Sequence, residues 1–163
     1  MNIHLSGMTL ELCHALFREF TNDISVFPEN RAFSEYHYSE ESVNAYWKKN
    51  RSDDRIHLAI LKDNVIIREI ILKKINWIQM HCTLSIHMKN DSVKNQGYGT
   101  EAERQVLAYA KEKLEMKTIY ANAFIHNKRS QHVLEKVGFK RTTQDQQYVY
   151  YKFETSLAKG QHP

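Results

Sequence analysis

The segment Lys94-Asn95-Gln96-Gly97-Tyr98-Gly99-Thr100-Glu101-Ala102 holds the residues best suited to bind an anion. Two glycines flank one residue. Ala102, Val106, Tyr109, Ala110 and Leu114 then fall at steps of three and four, the period of one helix face. Upstream, Thr83-Leu84-Ser85-Ile86-His87-Met88 alternates as a strand does, so the order is strand, glycine turn, helix. The first N–H groups of a helix lack partners within it and lie at the positive end of its dipole. Such a turn is a cradle for phosphate. Gly97 and Gly99 admit an anion close to the backbone because no Cβ intervenes, and Lys94 adds a charge. No Gly-Lys-Ser/Thr follows, which excludes a Walker loop. Gly97-x-Gly99-x-x-Ala102 fits the loose dinucleotide pattern, but that pattern wants an acid about 20 residues on, and the next strand, at 118–124, carries none. A nicotinamide-dependent oxidoreductase is disfavoured on that ground. A plain helix-start turn is the other reading of the two glycines.

Further candidates lie on either side. Asn127 opens a helical pattern in which Ser130, Val133, Leu134 and Val137 share one face, so Ser130 points towards the sheet. A nearly continuous β-branched run at 65–72 reads as a central strand buried on both faces; Arg68 and Glu69 interrupt it. Glu69 is a candidate base or half of a structural ion pair with Arg68. His87 has an ordinary pKa near neutrality, and the face it takes between Ile86 and Met88 decides its use. The nine histidines show no ligand spacing, so no metal is expected.

Residues 94–99 and 127–139 together resemble the GNAT superfamily of acetyl-coenzyme A-dependent N-acetyltransferases. The first family motif reads Arg/Gln-x-x-Gly-x-Gly/Ala, matched here by Lys94 to Gly99 with Lys in the first place. The second reads roughly Asn-x-x-Ser/Ala and then Glu-Lys-x-Gly-Phe, matched by Asn127, Ser130 and Glu135-Lys136-Val137-Gly138-Phe139. Ile75-Asn76-Trp77 looks like the subgroup that holds polyamine and ribosomal-protein acetyltransferases. The resemblance is good over residues 58–152 and poor before them.

The resemblance implies acetyl-CoA as cosubstrate. Lys94, Asn95, Gln96, Gly97, Tyr98, Gly99 and Thr100 would hold it, with Asn127 and Ser130 beside them. Backbone atoms of Ile86, His87 and Met88, on a strand splayed from 118–124, would bind the pantetheine arm. The N–H near Met88 would stabilise the carbonyl oxygen as it becomes negative. Many members carry Tyr before Glu-Lys-x-Gly-Phe as the acid for the departing thiolate; this chain has Leu134 there. Ser130 is then the candidate acid, directly or through water, with a bond to its own helix backbone as the alternative and His132 as a further one. The family's usual Glu is Thr83 here, so the base is left between Glu69, His87 and water. The missing Tyr and Glu also fit a catalytically weak acyl-CoA-binding module. The acceptor implied is a small-molecule or peptide amine: a protein N-terminus, a polyamine or another primary amine.

The whole chain bounds the rest. A length of 163 residues predicts one domain, 1–163, with its own core. A net charge of +4 from scattered lysines and arginines suits an anionic cofactor but marks no nucleic-acid face. No apolar run approaches the roughly 20 residues of a membrane span, Met1-Asn2-Ile3-His4 carries no signal pattern, and Cys13 and Cys82 are far apart. A reduced cytoplasmic protein is expected, with a homodimer suggested by relatives. The predicted fold is α+β, a three-layer arrangement. Its mixed, mostly antiparallel sheet has about six or seven strands, with helices on both faces. The order is a strand at 2–5, a helix after Thr9, a loop at 22–38 whose Phe27, Phe33, Tyr36 and Tyr38 could line a pocket or cover the core, and a helix after Ser39. Strands at 57–61, 65–72 and 81–88 follow, then the helix after Gly97, a strand at 118–124 and a helix ended by Gly138. Two last strands lie at 139–142 and 148–153.

Overall fold

Residues that alternate in the sequence take opposite faces of one sheet. The computed structural model describes residues 2–20, 36–88 and 97–155. They form β1 (Ile3–Gly7), α1 (Leu10–Arg18), α2 (Glu40–Lys49), β2 (Ile56–Lys62), β3 (Val65–Asn76), β4 (His81–Met88), α3 (Tyr98–Glu112), β5 (Thr118–Phe124), α4 (Lys128–Val137), β6 (Lys140–Gln144) and β7 (Tyr148–Glu154). The sheet order is β1-β2-β3-β4-β5-β7-β6, and every neighbouring pair is antiparallel except β4 with β5. The expected α+β fold is present. β3 runs four residues past the expected end at 72, and Asn76 closes it by accepting from the N–H groups of Ile78 and Gln79.

Local chemistry fixes the helix ends. Thr9 accepts from Leu12 N–H at 3.1 Å and Ser39 from Ser42 N–H at 3.3 Å, so each hydroxyl satisfies a donor that the helix itself cannot. Gly138 stops α4 with φ 114°, where a Cβ would also stand 3.0 Å from the Phe153 ring.

The core has two parts. On one face Leu58, Ile60, Ile70, Leu72, Cys82 and Leu84 pack with Ala102, Val106 and Ala110 of α3 and Leu134 of α4. On the other, Ala59, Leu61 and Ile66 pack with Cys13 and Leu16 of α1 and Val43 of α2. Tyr36 lies against Phe17 and Phe20, and Tyr38 O–H meets His14 Nδ1 at 2.6 Å, so both tyrosines pack on α1. Phe27, Phe33 and the loop at 89–93 lie outside the described residues.

A bulge in β3 decides which face its polar residues take. Ile60 opposes Arg68 while Leu61 opposes Ile66, so Ile67 is an extra residue. Arg68 therefore shares the α3–α4 face with its partner Ile60. Glu69, opposite Ala59, turns to the α1–α2 face. The expected alternative of an Arg68–Glu69 ion pair is replaced by two separate arrangements, one on each side of the sheet.

Candidate active site

β4 and β5 are paired over only three residues. His81 faces Thr118, Cys82 faces Ile119 and Thr83 faces Tyr120. Beyond that, β4 continues on β3 as far as Met88, and β5 continues on β7 as far as Phe124. The strands part, and backbone groups of β4 from residue 84 onward face the gap, where they need water or a ligand as partner. An extended chain can add to such an edge as a strand would.

The gap holds a cavity of about 300 Å³ that passes through the sheet. From the helical side it is lined by Glu103 of α3 and by Asn127, Ser130 and Leu134 at α4. From the other side Lys73, Thr83, Ser85 and Asn122 reach it; alternation places these opposite the core residues Leu72, Cys82, Leu84 and Ala121. Ser130 thus takes the position expected of it. Asn127 Oδ1 accepts from Ser130 N–H at 3.1 Å, which caps α4 and fixes the serine at the mouth of the first turn. Buried Gln131 donates to Phe124 O and Ile125 O, both at 3.0 Å, tying α4 to the end of β5. Nothing in the sequence marked Gln131; its neighbours carried the helical pattern. His132 is exposed and off this cavity.

The glycine turn opens α3. Gly97 is left-handed at φ 78° and caps α3 without any side-chain hydrogen bond, so the first N–H groups of α3 are free to meet an anion. Tyr98 is buried, with Lys62 Nζ 5.4 Å from its ring, and Thr100 is half-buried in the first turn. Ile86 lines the gap, and the β4 backbone at His87 and Met88 pairs with Glu69 and Arg68. Lys94, Asn95 and Gln96 lie outside the described residues.

Glu69 is elsewhere. It is fully buried on the α1–α2 face, where its Oε1 meets His57 Nε2 at 2.6 Å. Arg51 Nη2 lies 2.7 Å from His57 Nδ1; an arginine only donates, so Nδ1 accepts and Nε2–H is left to donate to Glu69. The Tyr46 hydroxyl also bonds Glu69, and burial together with that carboxylate raises its pKa. Tyr46 and Tyr36 line a second, apolar cavity of about 270 Å³ with Phe17, Phe20 and Val43. Cys13 and Cys82 are fully buried, and burial pushes each thiol up to about 12, so neither offers a thiolate near neutral pH.

Residues 3–140 match the family model of the acetyltransferase (GNAT) domain. The chain belongs to the GNAT acetyltransferase family. As a GNAT enzyme it is an N-acetyltransferase, and the family uses acetyl-CoA. No curated protein matches it in sequence. Among solved structures, spermidine N-acetyltransferase from Vibrio cholerae in complex with CoA and spermine shares 17% identity over 95% of this chain and 96% of that one, with a TM-score of 0.76. The dodecameric form of the Vibrio cholerae enzyme shares 16% over 99% of both chains, TM-score 0.74. Campylobacter jejuni N-acetyltransferase PseH shares 18% over 94% and 99%, TM-score 0.70. At these identities the likeness establishes the GNAT fold.

Glu103 gives the GNAT domain a pH signature. It is 4% exposed, and burial pushes its carboxyl from 4.5 up to about 7 against the pull of Arg68. Between those values the folded chain keeps a proton that the unfolded chain has lost, so stability falls as pH rises through this window. The full effect is about 3 kcal/mol. Denaturant midpoints measured at pH 5 and pH 7.5 should show this fall, and Glu103→Gln should flatten it.

Proposed function

We propose that this GNAT chain transfers an acetyl group from acetyl-CoA to a primary amine by direct attack in a ternary complex. The observation that carries the reading is the parting of β4 from β5 after three pairs, beside a helix whose N-terminus is capped by a left-handed glycine alone. The residues fit the cosubstrate: the N–H groups at Gly97, Tyr98, Gly99 and Thr100 suit a pyrophosphate, and the free edge of β4 at Ile86, His87 and Met88 suits an amide-bearing arm. Lys94, Asn95 and Gln96 join this set on their sequence positions.

Bound there, acetyl-CoA supplies a thioester whose acyl carbon accepts the amine nitrogen as the C–S bond breaks. The backbone N–H near Met88 stabilises charge growing on the carbonyl oxygen. Ser130, on the cavity wall, hydrogen-bonds the departing sulfur and passes it a proton directly or through water. Of the candidate bases, water in the cavity is favoured. Glu69 is buried against His57 and does not line the gap. The buried, protonated cysteines support direct transfer over an acyl-cysteine route.

The acceptor class is proposed as small amines of polyamine type, by analogy with the spermidine N-acetyltransferases of the same fold. Ile75-Asn76-Trp77 adds the subgroup resemblance. Free thiol released from acetyl-CoA with a panel of spermidine, spermine, monoamines and peptide N-termini tests this. Binding of acetyl-CoA without turnover of any acceptor would favour the weak binding module instead. A single domain, a cytoplasmic location and a homodimer or larger oligomer complete the proposal. Among the described residues no helix is long and apolar enough to cross a membrane. Light scattering reads the oligomer, and a monomer at high concentration would remove it.

Ser130→Ala should lower kcat by about tenfold to a hundredfold, a positioned proton donor being worth up to about 10⁴ and water softening its loss. Acetyl-CoA affinity should stay within a few-fold. Leu134→Tyr in that background should restore part of the rate. Unchanged turnover of Ser130→Ala from pH 6 to 9 would leave the serine a structural residue.

A further inference from the structure

Arg68 is a buried cation to which the scheme above gives no task. It is 8% exposed, on the α3–α4 face of β3, where the bulge at Ile67 has turned it. A Cβ on residue 99 would stand 3.1 Å from Arg68 Nη2, 3.6 Å from Cζ and 3.8 Å from Nη1. Three guanidinium atoms therefore pack against the backbone of the first turn of α3. In the sheet Arg68 pairs with Met88, the last residue of β4. One turn further along α3 is buried Glu103, whose carboxyl is electrostatically coupled to Arg68. Burying a guanidinium is costly, and an apolar side chain would anchor α3 to the sheet with less desolvation. A fixed charge beneath an anion-binding turn, in a medium of low dielectric, acts strongly on whatever binds above it.

We propose that Arg68 is the positioning residue for the anionic end of the cosubstrate: a buried guanidinium beneath Gly99 that biases the glycine turn towards a pyrophosphate. It acts through the turn rather than by touching the reacting atoms. Gly99 is then glycine because Arg68 passes below it, and not only because phosphate approaches from above. This rests on reading the turn as the phosphate cradle.

The test compares two acetyl donors, acetyl-CoA and acetyl-pantetheine, which has the same thioester but no pyrophosphate. Arg68→Met should raise the Kd for CoA by calorimetry, and the KM for acetyl-CoA, by about tenfold to a hundredfold. Its kcat should be unchanged, and so should its kcat/KM with acetyl-pantetheine. Arg68→Lys should recover most of the affinity. If a lone Glu103 unfolds the single variant, Arg68→Met/Glu103→Gln removes both charges and should show the same donor-dependent loss. Equal losses with both donors, or no loss with either, would reduce Arg68 to an anchor and overturn the inference while leaving the phosphate cradle standing. Failure of the unmodified protein to bind CoA would instead bring down the cradle itself, and this inference with it.

Discussion

Gly97→Asp is expected to abolish acetyl-CoA binding while leaving the fold intact. Gly97 sits at φ 78°, where a side chain costs about 1–2 kcal/mol. Aspartate is among the residues that tolerate this region, and it is a strong N-cap worth about 0.5–2 kcal/mol, so the two effects roughly cancel in the free protein. The cap works by accepting from the N–H groups of the first turn. Those are the donors proposed for the pyrophosphate, and the substitution adds a negative charge at the same place. The unmodified protein at about a hundred times its Kd should gain about 2.7 kcal/mol from acetyl-CoA, a rise of about 5–10 °C in Tm. Gly97→Asp should show no rise at all, with a ligand-free Tm close to that of the unmodified chain. Gly97→Ala, which adds strain without charge or an acceptor, should keep part of the shift. A full shift in Gly97→Asp would mean that the anion does not sit on this turn.

Glu69→Ala is expected to be strongly destabilising, and for reasons that have nothing to do with chemistry on the substrate. The carboxylate is fully buried and receives His57 Nε2–H, the Tyr46 hydroxyl and, through His57, the charge of Arg51. Removing one partner of a buried charged set leaves the others desolvated and unpaired, a loss of about 3–5 kcal/mol. For a chain of this size that is about 10 °C in Tm. Glu69→Gln retains an acceptor of the same shape and should lose much less. It also separates structure from catalysis. With water as the base, Glu69→Gln should turn over amines near the unmodified rate with the acidic limb of its kcat/KM profile in place. Disappearance of that limb in a folded Glu69→Gln protein would return Glu69 to the role of general base.

Much of the site is written locally. The glycine at 97, the helix period after it, the caps Thr9, Ser39 and Asn127 and the stop at Gly138 each follow from contacts within about one helical turn, and each is found in the structure where the sequence placed it. Ser130 facing the gap follows from the 3.6-residue period of α4 in the same way. The seven strands were legible because alternation is also local, although the end of β3 was not; its last residues are held by the turn at Asn76 and by pairing to His81.

What the sequence left open depends on register. The run at 65–72 shows that Arg68 and Glu69 are adjacent, and adjacency suggested a pair. A single extra residue at Ile67 fixes which face each takes, and a one-residue slip exchanges the faces of a strand. Only the assembled sheet sends Arg68 under Gly99 towards Glu103 and Glu69 to His57, which lies twelve residues away in sequence and one strand away in space. The gap was expected from the family resemblance alone, which implied that the two strands splay but not where. The length of pairing between β4 and β5 is set by how α3, α4 and β7 pack around them, so no stretch of either strand announces that they part after Thr83 and Tyr120. Local periods determined the elements, the glycine turn and the place of the serine. Long-range register and packing determined which charges are buried together and where the sheet opens.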